Sequence, residues 1–499
     1  MNLAQAFAES ARTNAAKPAI FWGERVFTYT ETASLAAQVS AVLRSRFAIQ
    51  PGDRVGLWLK NCPEFVACMF GILGADAVLV PVNNFLKPDE VGYILNDAGV
   101  DVLITDAELG AQAEALQRHR AALKVLPIEE LFTERTTQPA ASSPPARAST
   151  DLAVIIYTSG TTGHPKGAML SHGNLAHNVE SCRLVLSATS ADRFVVMLPM
   201  FHSYMLCVGL LLPMLTGGSM ILVKSVHPVK NLLHEIITHH GTILPTIPQF
   251  YRSLIHAPMP PNFPVRVCLS GAAPLPLQVL SEFEAKFSIP LIEGYGLSEA
   301  SPVVTKNPLR GVRKPGSVGL PVPNVEVSIQ DEAGRMLAVG EVGEICVRGG
   351  NVMLGYWNKP EETAAAIRDH WLLTGDVGYR DADGYYFITD RKKDMLLVNG
   401  INVYPREIEE VLYQFPGVKE AAVIGVPDAR KGEQPVAFVA PVDGATLDAK
   451  ALGQFARSKL ADYKVPRRIE ILPALPRNAT GKILKTTLRT LVKPGTEAE

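Results

Sequence analysis

The chain reads as an α/β protein in which helix-covered, mostly parallel sheets are followed by a smaller α+β unit. Three observations predict this. Strand-like and helix-like patterns alternate through the first two-thirds of the sequence, which is the rhythm of βαβ units. A chain of 499 residues exceeds the ~250–300 at which single cores stop growing, so more than one domain is expected. The charged cluster Asp390-Arg391-Lys392-Lys393-Asp394 opens a last segment with strands and helices of its own.

Taken in order, residues 55–59 predict a strand, 63–73 a helix with Phe65, Met69, Ile72 and Leu73 on its apolar stripe, and 77–80 a second strand. A polar, Pro-rich stretch at 136–150 reads as a surface connector. The uncharged run 206–223 has the length of a membrane span, but Pro213 and Gly217-Gly218 interrupt it, so it predicts a buried helix, a turn and a strand. The βαβ rhythm returns with a strand at 265–269, a helix carrying Leu277, Leu280, Phe283 and Phe287, and a strand at 290–292. From 325 to 347 the pattern changes to alternation (Val325, Val327, Ile329, Ile345, Val347), which predicts a small antiparallel element. Beyond the charged cluster come an Asn399-Gly400 loop and a helix introduced by Pro405, with Glu407, Glu409 and Glu410 near its positive end. Strands at 421–426 and 436–439 and a helix at 447–460 complete the smaller unit.

Lys plus Arg number 48 and Asp plus Glu 49, so nothing favours a nucleic-acid partner. The six cysteines are scattered without a Cys-x-x-Cys pair, which indicates neither a disulfide framework nor a zinc site and suits a reducing cytoplasm. The first fifteen residues lack a basic end followed by an apolar core, so export is not expected. His234-Glu235-Ile236-Ile237-Thr238-His239 misses the zinc-helix spacing by one place.

The most informative stretch is Tyr157-Thr158-Ser159-Gly160-Thr161-Thr162-Gly163-His164-Pro165-Lys166-Gly167, directly after an apolar run. Glycine-rich backbone can converge its N–H groups on anionic oxygens, the hydroxyls add donors, and Lys166 adds charge, so the stretch suits a triphosphate. It is not a Walker A loop, because Pro165 precedes the lysine and Gly167 follows it. Nor is Gly294-Tyr295-Gly296-Leu297-Ser298-Glu299 a dinucleotide fingerprint, since Glu299 stands where glycine would be needed.

With Thr374-Gly375-Asp376, the Arg391 cluster and Pro476-Arg477-Asn478-Ala479-Thr480-Gly481-Lys482, these motifs occur in the order seen in adenylate-forming enzymes. Over essentially its whole length the chain resembles the acyl-CoA synthetases of that superfamily. The resemblance implies a large N-terminal domain with a small β-barrel-like element (1–390), a hinge (391–393) and a mobile C-terminal lid (394–499). It also implies a two-step reaction: a carboxylate attacks the α-phosphate of ATP to give acyl-AMP and pyrophosphate, and the thiol of coenzyme A then displaces AMP.

By the same resemblance, residues 158–166 (Thr158, Ser159, Gly160, Thr161, Thr162, Gly163, Lys166) would hold the phosphates, and Thr158 and Glu299 would reach Mg2+. Asp376 would accept from the ribose hydroxyls with Arg391 beside it. Tyr295 and Gly271-Ala272-Ala273 would enclose adenine, within the turn formed by Glu293, Gly294, Gly296 and Ser298. Lys393 would be the pivot, Lys482 the cation of the first half-reaction, Gly400 the close approach for the pantetheine arm in the second, and His202 a gate to the acyl pocket.

The motif wording looks most like bacterial fatty-acyl-CoA ligases, so a medium- or long-chain fatty acid is the expected substrate. An aryl-acid CoA ligase, a fatty acyl-AMP ligase serving a carrier protein and a non-catalytic binding homologue are the alternatives. A cytoplasmic enzyme is expected, with peripheral contact at the inner membrane and a homodimer left open.

Overall fold

The computed structural model describes residues 2–120, 122–133, 147–158, 165–258, 262–428, 432–478 and 482–492. Among them the strands form four sheets. The largest runs Leu320–Pro321, Val303–Lys306, Leu291–Gly296, Val267–Ser270, Ile243–Thr246, Arg193–Val196, Ser219–Leu222, Pro18–Trp22 and Arg25–Thr28 from edge to edge. Its six central strands are parallel and its outer ones antiparallel. Ile243–Thr246 and Val267–Ser270 are buried throughout, as expected where helices cover both faces.

In a second sheet, Leu152–Thr158, Val78–Pro81, Arg54–Trp58, Val102–Thr105 and Lys124–Pro127 are parallel, while Lys166–Ser171 and Gly355–Tyr356 extend one edge antiparallel. Helices pack tightly here. A Cβ on Gly71 would lie 2.4 Å from Val39 Cβ and 2.6 Å from Ala36 O, so glycine permits the close crossing of Tyr29–Ser45 and Pro63–Gly74. The helix His172–Leu186 bridges the sheets through buried amides. Asn178 Nδ2 donates to Val303 O at 2.7 Å, Val303 N–H returns to Asn178 Oδ1 at 3.1 Å, and Asn174 Nδ2 donates to Gly350 O at 2.8 Å.

The run predicted as helix, turn and strand is a wide π-helical segment, Met205–Leu211, followed by the helix Leu212–Thr216, a left-handed Gly217 (φ +76°) and the strand Ser219–Leu222. Every residue of Met205–Leu211 is buried. Among the described residues no helix is long and apolar enough to cross a membrane. Most of the connector at 136–150 lies outside the described residues.

The alternating region forms an antiparallel sheet of Val325–Gln330, Gly343–Gly349, Trp371–Arg380, Ile367–Arg368 and Tyr386–Arg391. After Arg391 the chain enters another sheet, made of Leu396–Val398, Ile401–Val403, Val418–Asp428, Gly432–Pro441 and Arg468–Ile471, with helices Pro405–Tyr413 and Ala449–Lys459 packed around it. Three ion pairs tie this last unit together: Lys485 to Glu409 (2.8 Å), Arg489 to Asp394 (2.9 Å) and Arg477 to Glu420 (2.7 Å). It meets the larger body where Arg252 Nη1 donates to Lys419 O at 2.6 Å and Arg406 Nη1 to Ile388 O at 3.3 Å.

Candidate active site

Parallel strands release their chains at one edge, and side chains following those ends converge in the crevice there. Thr158 ends a strand of the second sheet, whereas in the first sheet Gly271-Ala272-Ala273 follows one strand, Glu293 to Gly296 end its neighbour, and Ser298 and Glu299 lie in the turn just beyond. The two sheets meet at these residues: Thr158 Oγ1 donates to Glu299 Oε1 at 3.4 Å, and Tyr356 OH donates to the same oxygen at 2.9 Å. Lys166 begins the strand after the glycine-rich stretch, with Nζ 5.2 Å from the Tyr356 ring centroid. Ser159, Gly160, Thr161, Thr162 and Gly163 lie outside the described residues.

The donor set suits a magnesium ion. Bonds of about 2.1 Å at right angles place neighbouring ligands about 3 Å apart, close to the separation of the Thr158 and Glu299 oxygens. Two protein oxygens leave most positions of a six-coordinate ion to phosphate and water.

A second cluster surrounds Asp376, which is 6% exposed. Its backbone is paired with Arg391 across the antiparallel sheet, which brings Arg391 Nε to 3.3 Å from Oδ1. Tyr295 OH donates to Oδ2 at 2.6 Å, so the carboxylate expected to hold ribose here accepts from the expected adenine-binding ring. Gly271 lies against Tyr204, where an added Cβ would be 3.1 Å from the ring, and Ala272 takes a left-handed φ of +63°.

Lys482 comes from the last unit and joins this cluster. Its loop is closed by a reciprocal pair, Lys482 N–H to Asn478 Oδ1 and Asn478 N–H to Lys482 O, both 2.9 Å. Burial, then the Arg391 charge, pull its ammonium down to about 8, with Asp376 opposing and Lys393 adding to the shift. Lys393 is itself lowered, first by burial. His202 lines a narrow apolar cleft with Leu198, Pro199, Tyr204, Met205 and Ala272. Burial and the Lys482 charge push its imidazole down to about 4, and Nδ1 accepts from Tyr204 N–H at 3.3 Å, so the neutral ring carries its proton on Nε2. Ser203 and Ser298 hydroxyls, 2.9 Å apart, link this cleft to the Gly294–Glu299 turn.

Two expected residues stand elsewhere. Gly400 (φ +76°) lies at the exposed tip of the hairpin formed by Leu396–Val398 and Ile401–Val403, with nothing within 4 Å of an added Cβ. Glu293 is buried with Oε1 accepting from Leu275 N–H at 3.0 Å. It faces Arg406 and Glu410 of the last unit, and burial raises its carboxyl to about 7. Sequence reading passed over Tyr356, whose signal, an aromatic residue after a glycine, is too common to single out.

Residues 7–357 match the AMP-binding enzyme family, and 407–482 match the AMP-binding enzyme C-terminal domain. The chain is 38% identical to a long-chain-fatty-acid–CoA ligase of Bacillus subtilis, covering 94% of this chain and 90% of that one. It is 36% identical to a feruloyl-CoA synthase of Amycolatopsis, covering 96% of each. The crystal structure of ATP-bound MatB from Rhodopseudomonas palustris superposes with a TM-score of 0.92 at 34% identity, over 98% of this chain and 99% of that chain.

Proposed function

Because the chain belongs to the AMP-binding enzyme family, as an AMP-forming acid–CoA ligase that uses ATP, Mg2+ and coenzyme A, we propose that its acid is a medium- or long-chain fatty acid. The observation that carries this choice is the uncharged wall behind His202. The cleft there is lined by Leu198, Pro199, Met205 and Ala272, apolar surroundings in which an alkyl tail loses water without stranding a polar group. The likeness to a long-chain-fatty-acid–CoA ligase supports it. A second reading, an aryl acid, draws on the likeness to a feruloyl-CoA synthase and on the Ser203 and Ser298 hydroxyls beside the cleft, which could hydrogen-bond a ring substituent. Pyrophosphate release measured over palmitate, octanoate, benzoate and coumarate, followed by coenzyme-A-dependent AMP release, tests the choice. Turnover of the aryl acids alone would overturn it.

The roles of the residues are part of the same proposal. Lys166 and the residues before it hold the triphosphate, with Thr158 and Glu299 the protein oxygens for the metal. Mg2+, when bound, offsets the phosphate charge that otherwise repels an anionic carboxylate. Asp376 offers two acceptor oxygens to the vicinal ribose hydroxyls, Arg391 stands beside it at 3.3 Å, and Tyr295 packs on the base. Lys482 stands among Arg391 and Lys393, an excess of positive charge that anionic substrates relieve, so its ammonium can pair with the carboxylate and α-phosphate as charge develops. His202, neutral and partly covered, closes the acyl cleft without adding charge.

For the thiol step, turning the last unit about residues 391–393 removes Lys482 and brings the Gly400 hairpin to the crevice, so that one nucleotide site serves two reactions. Activity in the cytoplasm at the inner membrane face and assembly as a homodimer extend this reading; vesicle flotation and light scattering test them.

A further inference from the structure

Residues 351–357 run between two parts of the site and are bound to both. On one side Met353 N–H donates to Glu299 O at 2.8 Å, and Asn351 Nδ2 to Ala300 O at 3.0 Å. On the other, Gly355–Tyr356 pairs with Lys166–Ser171, and Leu354 and Trp357 N–H groups donate to Met169 O (2.9 Å) and Gly167 O (2.8 Å). Gly355 has φ +138°, and a Cβ there would meet Thr363 Cγ2 at 2.7 Å, so the turn into Tyr356 requires glycine. Tyr356 N–H is then anchored on Thr363 Oγ1 at 2.8 Å.

The side chain that this backbone aims is the one that touches both halves. Its hydroxyl donates to Glu299 Oε1 at 2.9 Å, and its ring faces Lys166 Nζ at 5.2 Å. Among the described residues, the two hydrogen bonds recorded on the Glu299 carboxylate, from Tyr356 and Thr158, both fall on Oε1. We propose that Tyr356 is a positioning residue for the metal–triphosphate subsite, its hydroxyl fixing the Glu299 carboxylate and its ring confining the Lys166 ammonium. The inference rests on the adenylating role proposed for this site.

The chemistry is that of an outer partner to a metal ligand. A carboxylate on a single side chain rotates freely, and a hydrogen bond to one oxygen selects the orientation in which it meets the ion. The ring's electron-rich face restrains a flexible ammonium without neutralising it, leaving its charge for phosphate.

Tyr356→Phe separates the two contacts, because it removes the hydroxyl and keeps the ring. Binding of Mn2+ to the enzyme–ATP complex, followed by electron paramagnetic resonance without any acid present, reads the subsite without turnover. Tyr356→Phe should weaken Mn2+ binding about 10- to 100-fold and raise the Mg2+ concentration needed for half-maximal pyrophosphate release to match, with recovery at high Mg2+. Tyr356→Leu should lose ATP affinity in addition, through Lys166. In a Glu299→Ala background Tyr356→Phe should cost nothing further, since the hydroxyl would act through that carboxylate. Unchanged Mn2+ affinity in Tyr356→Phe, or an equal loss with and without Glu299, overturns the proposal. A wild-type protein that binds no metal–ATP at all would instead overturn the functional reading beneath it.

Discussion

Replacing Lys482 by arginine tests the electrostatics at the centre of the site. In this arrangement the ammonium is lowered from 10.5 to about 8, chiefly by burial and then by Arg391, with Asp376 and Asp394 pulling the other way. The corresponding cost of keeping it charged is about 3 kcal/mol, an upper figure because the side chain is partly solvated. Protonation is favoured below the lowered value, so the free enzyme is about 90% charged at pH 7 and about 10% charged at pH 9. If the charged form performs adenylation, kcat/KM for ATP in pyrophosphate release should fall about tenfold over that interval. Bound phosphates favour the ammonium, so kcat should break at higher pH than kcat/KM. Arginine stays charged throughout, so Lys482→Arg, slower because a planar fork replaces a point charge, should show no such fall. Stopped-time pyrophosphate assays from pH 6.5 to 9.5 in constant ionic strength measure both profiles. A wild-type kcat/KM that stays level to pH 9.5, or an arginine variant with the same break, would refute the reasoning.

Four further substitutions divide the remaining roles. Lys482→Ala should abolish acyl-AMP formation yet leave thioester formation from supplied acyl-AMP largely intact, whereas Gly400→Trp should do the reverse; rapid-quench assays of each half-reaction check this, and loss of both halves together in either variant counts against alternation. Asp376→Ala removes the acceptor of Tyr295 OH and the partner of Arg391, and should raise the Kd for AMP about 10- to 100-fold by calorimetry, the range for hydrogen bonds to a charged group. Glu293, raised to about 7 by burial, contributes its full stability below its unfolded value near 4.5 and loses it as pH rises through 7. Glu293→Gln stays neutral and can still accept from Leu275 N–H, so it should melt above wild type at pH 8 and show a flatter Tm between pH 5 and 8; parallel curves would show that the carboxyl is not destabilised.

The sequence by itself determined whatever depends on local pattern. Apolar runs and helix-period hydrophobicity placed the strand at Arg54–Trp58, the helix at Pro63–Gly74 and the βαβ units around Leu277–Phe287, since those patterns arise from burial. Pro213 and Gly217-Gly218 were enough to break the run at 206–223 into helix, turn and strand, because one lacks an N–H and the other supplies a left-handed backbone. The ordered motifs likewise carried the family, and with it the reaction class.

What lay beyond that reading are contacts whose partners are far apart along the chain. Glu299 meets Tyr356 because strands from two different sheets converge, and Glu293 faces Arg406 because the last unit packs over the strand Leu291–Gly296. Neither pairing leaves a trace in local composition. Only the tertiary structure decided that Lys482 stands beside Asp376 while Gly400 points to solvent, since both belong to the last unit and its packing on the larger body sets where each one lies. Charge, burial and reach are properties of that docking, and so therefore is the altered proton affinity of Lys482.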